Sequence, residues 1–499
     1  MTTEPLELEA EIPPQAAAGL FRTPPLAARR AGRTRATAYT LGWLDTEQGA
    51  LAEQGLALVA PRRGPRLLLE TMPGADAPWC PGTPPARRLA VPLDAAPEQA
   101  GEAPLLPLAH FTGRRAALAL TGGVEAVLMH GVLRAGPPPG ALRSEAAEAP
   151  IARLRLRGPP AGVLATMRDL AAAMPALPPC AAVAEVARAM ALGTTPRPRR
   201  LGAPRLDPTL GVEEALCRVI GHLAEVLAWY APVAAAGKDP TGVHQMRVAL
   251  RRLRSALRAF RGAADGPELR DFDGRLKALA SLLGPARDWD VFLAGLGAEL
   301  AEAMPGDPRI DALLHEARRR RAAAYADLVE GLHGPGFRSL LWDAVALQSL
   351  RPWRAGAEAE AEAARAAPIE AFAAALLDRR WRKLTGIGET IDHLPDAEFH
   401  ALRLDGKRMR YLAELFAPLW GRKRSRRFLA RLAEMQEQFG LANDATVARA
   451  LVAPLADAAG SWATGVAEGW VLARSRRARG RAAKAWEALI EAEGFWNQC

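Results

Sequence analysis

Val243–Phe260 reads VHQMRVALRRLRSALRAF, and its two periodicities decide the fold of the second half of the chain. Met246, Leu250, Leu253, Leu257 and Phe260 recur at intervals of three and four, the buried stripe of an amphipathic helix. His244, Arg247, Arg251, Arg254 and Arg258 recur at the same intervals on the neighbouring face, and Arg252 widens it. The stretch contains no acidic residue. Solvated helix faces ordinarily mix Glu with Lys, because like charges at i,i+4 cost ~0.2–0.5 kcal/mol per pair. A column of arginine without its own acids calls for an anion from outside the helix.

The pattern occurs twice. Phe399–Phe416 reads FHALRLDGKRMRYLAELF, with His400, Arg403, Lys407, Arg408 and Arg410 in the same order at an offset of 156 residues (400 minus 244). Further along, LGPARDWDV at 283–291 is answered by FGLANDATV at 439–447, so that Gly284 and Gly440 each lie 40 residues after their histidine (284 minus 244; 440 minus 400). A repeat that keeps its charged face, glycine and aspartate in register predicts two related helical bundles. Arg379, Arg382 and Lys383, in the run RRWRK at 379–383, extend the basic surface. The run Arg318–Arg321 reads as a solvated helix face. Trp229, Trp289, Trp342, Trp381 and Trp420 read as core or interface aromatics, and nothing suggests base-stacking platforms.

Around this repeat the chain divides by period. Residues 209–499 follow the 3.6-residue period and predict an all-α domain, with helices over 213–229, 243–261, 268–283, 310–332, 369–384, 397–415, 424–438 and 444–455. Residues 193–208, GTTPRPRRLGAPRLDP, form a Pro/Arg-rich linker. Residues 1–192 read as short strands broken by Pro and Gly: 6–12, 56–59, 66–71, 88–93, 115–120, 124–129 and 151–157, with an amphipathic helix over 162–174. Strand-rich and helix-poor, this half predicts an antiparallel β-barrel. The whole is a multidomain α+β chain.

With 499 residues and a formal net charge of +10, the chain is long enough for two or three domains and favours an acidic partner. Cys80, Cys180, Cys217 and Cys499 form no CxxC pair and no metal-ligand spacing, which suggests reduced thiols and an intracellular compartment. The acidic opening MTTEPLELEAEIPP lacks the features of a signal peptide. No run approaches the roughly 18 apolar residues of a membrane span, so a soluble protein is expected.

The order His-x-x-Arg-x-x-x-Arg-Arg-x-Arg, Leu-Gly-x-x-Arg-Asp-x-Asp-Val, His-x-x-Arg-x-x-x-Lys-Arg-x-Arg-Tyr resembles the CHAD family, the conserved histidine α-helical domain, over residues 207–490. The resemblance implies two pseudo-symmetric bundles around a basic groove that binds inorganic polyphosphate. It places His244, Arg247, Arg251, Arg252 and Arg254 of the first copy, and His400, Arg403, Lys407, Arg408 and Arg410 of the second, toward the ligand. Arginine suits that task because its planar fork pairs bidentately with phosphate oxygens. A basic residue every turn, ~5.4 Å apart, can follow a phosphate strand. Histidine beside phosphate becomes a further donor. Asp288 and Asp444 read as residues that orient arginines or cap helices.

The first half resembles the CYTH superfamily, the triphosphate-processing β-tunnel fold. Leu6–Glu11 stands at its Glu-x-Glu-x-Lys strand, Trp43-Leu-Asp45-Thr46 at its Tyr/Phe-Asp-Thr segment, and residues 58–74 at its Leu-Arg-x-Arg and Thr-Leu-Lys strands. The segments at 111–115 and 151–158 complete the order. In that family inward Arg and Lys hold a triphosphate while inward Glu residues bind a divalent metal that activates water. Here Glu7 and Glu9 remain, but Glu11 replaces the lysine, Val59 and Pro61 replace the arginines, and Met72 stands near the next lysine. Arg153, Arg155 and Arg157 occupy the late metal-binding strand, and Glu185 lies near the closing lysine. Replacing hard oxygen ligands with cations argues against metal binding.

The combined expectation is a non-catalytic polyphosphate-binding protein with no catalytic residues, cofactor or metal, cytoplasmic and associated with polyphosphate granules. A metal-dependent triphosphatase is the first alternative. A nucleic-acid backbone is the second partner that the same arginine columns would suit, though no base-reading module is present.

Overall fold

Leu-Glu alternation builds the first strand. In β1 (Leu6–Glu11), Leu8 and Ala10 are fully buried on one face while Glu7, Glu9 and Glu11 share the other. The remaining strands are β2 (Arg35–Thr46), β3 (Leu56–Pro61), β4 (Arg66–Glu70), β5 (Ala86–Val91), β6 (Leu105–Leu120), β7 (Val124–Ala135) and β8 (Glu148–Gly158). They form one eight-stranded antiparallel sheet in the order β1-β8-β7-β6-β2-β3-β4-β5, curled as a half-barrel. The computed structural model describes residues 5–62, 65–70, 82, 86–92, 96–136, 147–196, 204–356, 358–388, 391 and 394–497. Met72, Cys80, Cys499 and linker residues 197–203 lie outside them.

The convex face carries the larger core. Leu8, Ala126, Leu128, Leu154 and Leu156 pack against Val163, Leu164, Met167 and Leu170 of α1 (Pro160–Ala173). Clustering by contacts divides the chain into two compact units. The first comprises Met1–Gly202, Ile220–Trp229 and His333–Arg351; the second comprises the rest. The half-barrel unit thus takes a helix from the second half of the sequence, Pro335–Leu350. Its Trp342 is fully buried in the same core and donates from Nε1 to the Ala176 carbonyl at 3.0 Å. Arg338 donates to the Ala171 carbonyl at 2.7 Å, satisfying a C-terminal carbonyl of α1. On the concave face lies α2 (Val183–Leu192), whose Val183, Ala184, Val186, Ala187 and Met190 pack with Trp43 and Phe111.

The longer helices that follow are α3 (Val212–Ala236), α4 (Thr241–Ala259), α5 (Pro267–Phe292), α6 (Pro308–His333), α7 (Pro335–Leu350), α8 (Ile369–Thr385), α9 (Asp396–Phe416), α10 (Arg422–Val452) and α11 (Ala456–Ile490). The expected core stripe is present: Met246, Leu250, Leu253 and Phe260 are fully buried, as are Met409 and Phe416 in the second copy.

Some boundaries differ from expectation. The predicted 424–438 and 444–455 helices are one helix, α10, and α5 continues through Gly284 and Pro285 to Phe292. Contrary to the reading that no run approaches a membrane span, α3 is long and apolar enough by length and composition. In its most apolar window 61% is buried inside the molecule, and helices that are apolar all round are ordinarily buried ones.

Candidate functional site

In the second unit, α4 and α9 pack together at equivalent positions, the Phe260 and Phe416 ring centroids lying 6.0 Å apart. Their basic faces, with α5 and α8 beside them, make a track of cations whose two ends differ.

At the N-terminal end of α4, His244, Arg247 and Arg251 gather with Arg287 of α5. Burial first, then the positive charges of Arg287, Arg251 and Arg247, hold the His244 pKa below its ordinary value of 6.5. Burial likewise lowers Arg247, Asp288 opposing and Arg251 and Arg287 adding to the effect. Arg247 donates from Nη1 to the Ala280 carbonyl at 3.3 Å, and a Cβ at Gly284 would come within 3.6 Å of the same nitrogen. Arg251 is exposed, its guanidinium 5.5 Å from the centroid of the Tyr411 ring on α9. Among the described residues, no carboxylate lies within ion-pair distance of Arg247, Arg251 or Arg287. Burial raises the pKa of Asp288, against the pull of Arg247 and Arg287. Asp288 thus stands near Arg247 and Arg287 without an ion pair to either, and the Asp444 side chain lies outside the described residues.

Toward the C-terminal end, acids from other segments enter. Arg252 pairs with Glu414 at 2.8 Å, and Arg410 reaches the same carboxylate at 2.7 Å. Arg254 pairs with Asp273 of α5 at 2.7 Å, with Arg258 4.0 Å from its other oxygen. Asp405 accepts Arg408 at 2.7 Å and Lys383 of α8 at 3.2 Å, and Arg382 pairs with Asp378. The local absence of acids therefore holds for α4 alone, and tertiary packing supplies counter-ions to Arg252 and Arg254. For Arg258 the cations prevail: burial and then the charge of Arg254 lower its pKa, against the pull of Asp273, with Arg408 and Arg261 adding to the effect.

On α9, His400 and Arg408 are exposed, and Arg403, Lys407 and Arg410 are half-buried. Arg379 is exposed on α8. The sequence reading singled out neither Arg287, which its own LGPARDWDV motif contains, nor Tyr411. The run Arg318–Arg321 is more structural than a solvated face. Arg319 and Arg320 bind Glu316, and Arg321 pairs at 2.7 Å with buried Asp290, which also accepts from Tyr325 at 2.8 Å.

In the half-barrel, the concave face encloses a cavity of about 510 Å³. Arg153, Arg155 and Arg157 line it, as do Glu7, Glu9, Val59 and Pro61. Arg155 binds Glu9 at 3.0 Å and Glu7 at 3.2 Å, and Arg153 binds Glu11 at 2.7 Å. The carboxylates that would hold a divalent metal in a CYTH-like tunnel are thus engaged by guanidinium groups. Among the described residues no three His, Cys, Asp or Glu side chains converge as metal ligands, and the set does not fit a metal centre. Asp45 is structural, accepting from the Thr46 and Leu51 backbone N–H groups at 2.8 and 3.0 Å. Glu185 accepts from the Ala182 N–H at 2.8 Å and is not part of the cavity wall.

Two helical copies joined at equivalent phenylalanines, each with a basic stripe, define a class, and residues 218–453 match the family model of the CHAD domain. Over those residues the chain is similar to the CHAD domain, and the half-barrel that precedes them in sequence is consistent with a CYTH-like domain. The crystal structure of the CHAD domain from the plant Ricinus communis is similar, with a TM-score of 0.51 and 26% identity over 59% of this chain and 97% of that one. PptA from Streptomyces chartreusis aligns with a TM-score of 0.42 and 18% identity, over 56% of this chain and 99% of that one. Among curated proteins, none matches the sequence.

Proposed function

We propose that this protein binds inorganic polyphosphate along the α4–α9 track and does so without chemistry. The observation that carries the reading is the cluster His244, Arg247, Arg251 and Arg287. Burial first, and then the neighbouring arginine charges, lower the proton affinity of His244 and Arg247, and Asp288 is the acid beside them. Bringing like charges together costs free energy, and a polyanion bound there turns the repulsion into attraction. Arg258, Arg408 and Lys383 continue the track toward α8, to which Arg379 and Arg382 belong, and His400, Arg403, Lys407 and Arg410 would serve from the second copy. Association with cytoplasmic polyphosphate granules belongs to the same proposal.

A nucleic-acid backbone would meet the same cations, and competition separates the two. Long-chain polyphosphate should displace duplex DNA or RNA at far lower phosphate concentration than the reverse; equal displacement would remove the claim of polyphosphate preference. The triphosphatase reading meets Glu7 and Glu9 already tied to Arg155 and Arg153. Phosphate release from tripolyphosphate that requires Mg²⁺ or Mn²⁺, and is lost in Glu7→Ala/Glu9→Ala, would revive it.

A further inference from the structure

The half-barrel cavity is charged on one wall and apolar on the other. Along β1 and β8 its lining presents Glu7, Glu9, Arg153, Arg155 and Arg157, and β7 adds Glu125 together with apolar Val127 and Met129. Along β2, β3 and β4 it presents Tyr39, Leu41, Trp43, Val59, Leu67 and Leu69, with Val183 and Ala184 of α2. Strand register locates the seam. Arg115 on β6 stands opposite Met129 on β7 and Thr37 on β2, and Tyr39 follows two residues along the same face. Arg115 is exposed, and no carboxylate among the described residues lies within ion-pair distance of it.

We infer that this cavity binds an organic anion with a single carboxylate or phosphate head, held by Arg115, and an apolar body seated against Tyr39, Leu41, Trp43 and Leu67. Charge decides against a polyanion. Three carboxylates in the lining nearly balance its four arginines, and Glu11 engages Arg153 from beside it. The far wall offers a phosphate chain no cation, and desolvating charged oxygens against leucine, valine and tryptophan is costly. An apolar body gains there instead, at about 25 cal/mol per Å² buried. The volume of about 510 Å³ is that of a small-molecule pocket.

Isothermal titration of the full chain with decanoate, and separately with decyl phosphate, tests the inference; whichever binds more tightly identifies the head. Saturable one-to-one binding is expected, weakened at least tenfold by Arg115→Gln and by slot-filling Leu67→Phe. Arg157→Gln, at the opposite end of the charged wall, should change it less than twofold. Arg115 is exposed, so its variant should keep the wild-type unfolding temperature. Absence of saturable binding, equal loss in Arg115→Gln and Arg157→Gln, or displacement of decanoate by tripolyphosphate would overturn it.

Discussion

Arg408 stands close enough to Arg258 for its charge to act on that guanidinium, at a place where the internal repeat elsewhere puts an ion pair. With an offset of 156, Arg408 is the image of Arg252 and Glu414 is the image of Arg258 (408 minus 252; 414 minus 258). One side of the helix pair is therefore closed by Arg252–Glu414 at 2.8 Å, while on the other an arginine replaces the acid. The two copies share a scaffold but not a charge pattern: Arg408 turns instead to Asp405 at 2.7 Å, and Arg258 lies 4.0 Å from Asp273.

Restoring the acid tests that asymmetry. Arg258→Glu should create a second ion pair with Arg408 and leave stability within about 1 kcal/mol of wild type, as expected for a half-exposed pair. Polyphosphate binding should weaken several-fold, with a shallower salt dependence. Thermal unfolding and a salt series of binding isotherms measure the two effects.

Glu414→Gln should act in the opposite sense on binding. Burial opposes the charged Glu414 carboxylate, but the hydrogen bonds and charges of Arg252 and Arg410 outweigh it, and its pKa lies below the ordinary value. A depressed carboxylate contributes stability that is present above its unfolded pKa of ~4.3 and is lost as pH falls through the lower folded value. The variant should lose about 1–3 kcal/mol at neutral pH and flatten the acid limb of the stability profile. It should also bind polyphosphate more tightly. Urea unfolding between pH 3 and 7 follows the first effect.

His244 sets a pH dependence of binding. Burial and three arginines lower its pKa in the free protein, so the imidazole is neutral at pH 7. A bound polyanion favours the imidazolium and raises the pKa, so binding takes up a proton. Affinity should therefore increase as pH falls through the bound-state pKa and level off below the free-state one. His244→Gln should abolish this rise, and proton uptake in buffers of different ionisation enthalpy measures it directly.

The long helices and the β1 strand were legible in the sequence because their periodicity spans many residues. The central strand β2 was not read as a strand: in RATAYTLGWLDT its first four residues are all exposed, so the expected alternation is missing. α7 lies in the helical half of the sequence and yet belongs to the half-barrel core, a pairing that no local pattern encodes. At the track, repetition marked the cations, but Asp273 and Glu414 reach them through tertiary packing.

Asp290 anchors the bundle beneath the track. Its buried carboxylate accepts Arg321 and the Tyr325 hydroxyl, and burial together with Asp290 pushes the tyrosine up to about 12. Asp290→Ala should cost about 2–4 kcal/mol, because it leaves Arg321 and Tyr325 without their shared acceptor. Spectrophotometric titration should then show Tyr325 ionising at lower pH than in the wild type.

The central claim is that the cations of α4 receive a polyanion, and binding of medium-chain polyphosphate to the full chain tests it most directly, wild type against Arg247→Gln/Arg251→Gln across a salt series. The account predicts tight, salt-sensitive binding, weakened by about two orders of magnitude in the double variant at low salt, with the log–log salt slope reduced by about 2. Equal affinity and equal slope in the two proteins would contradict it.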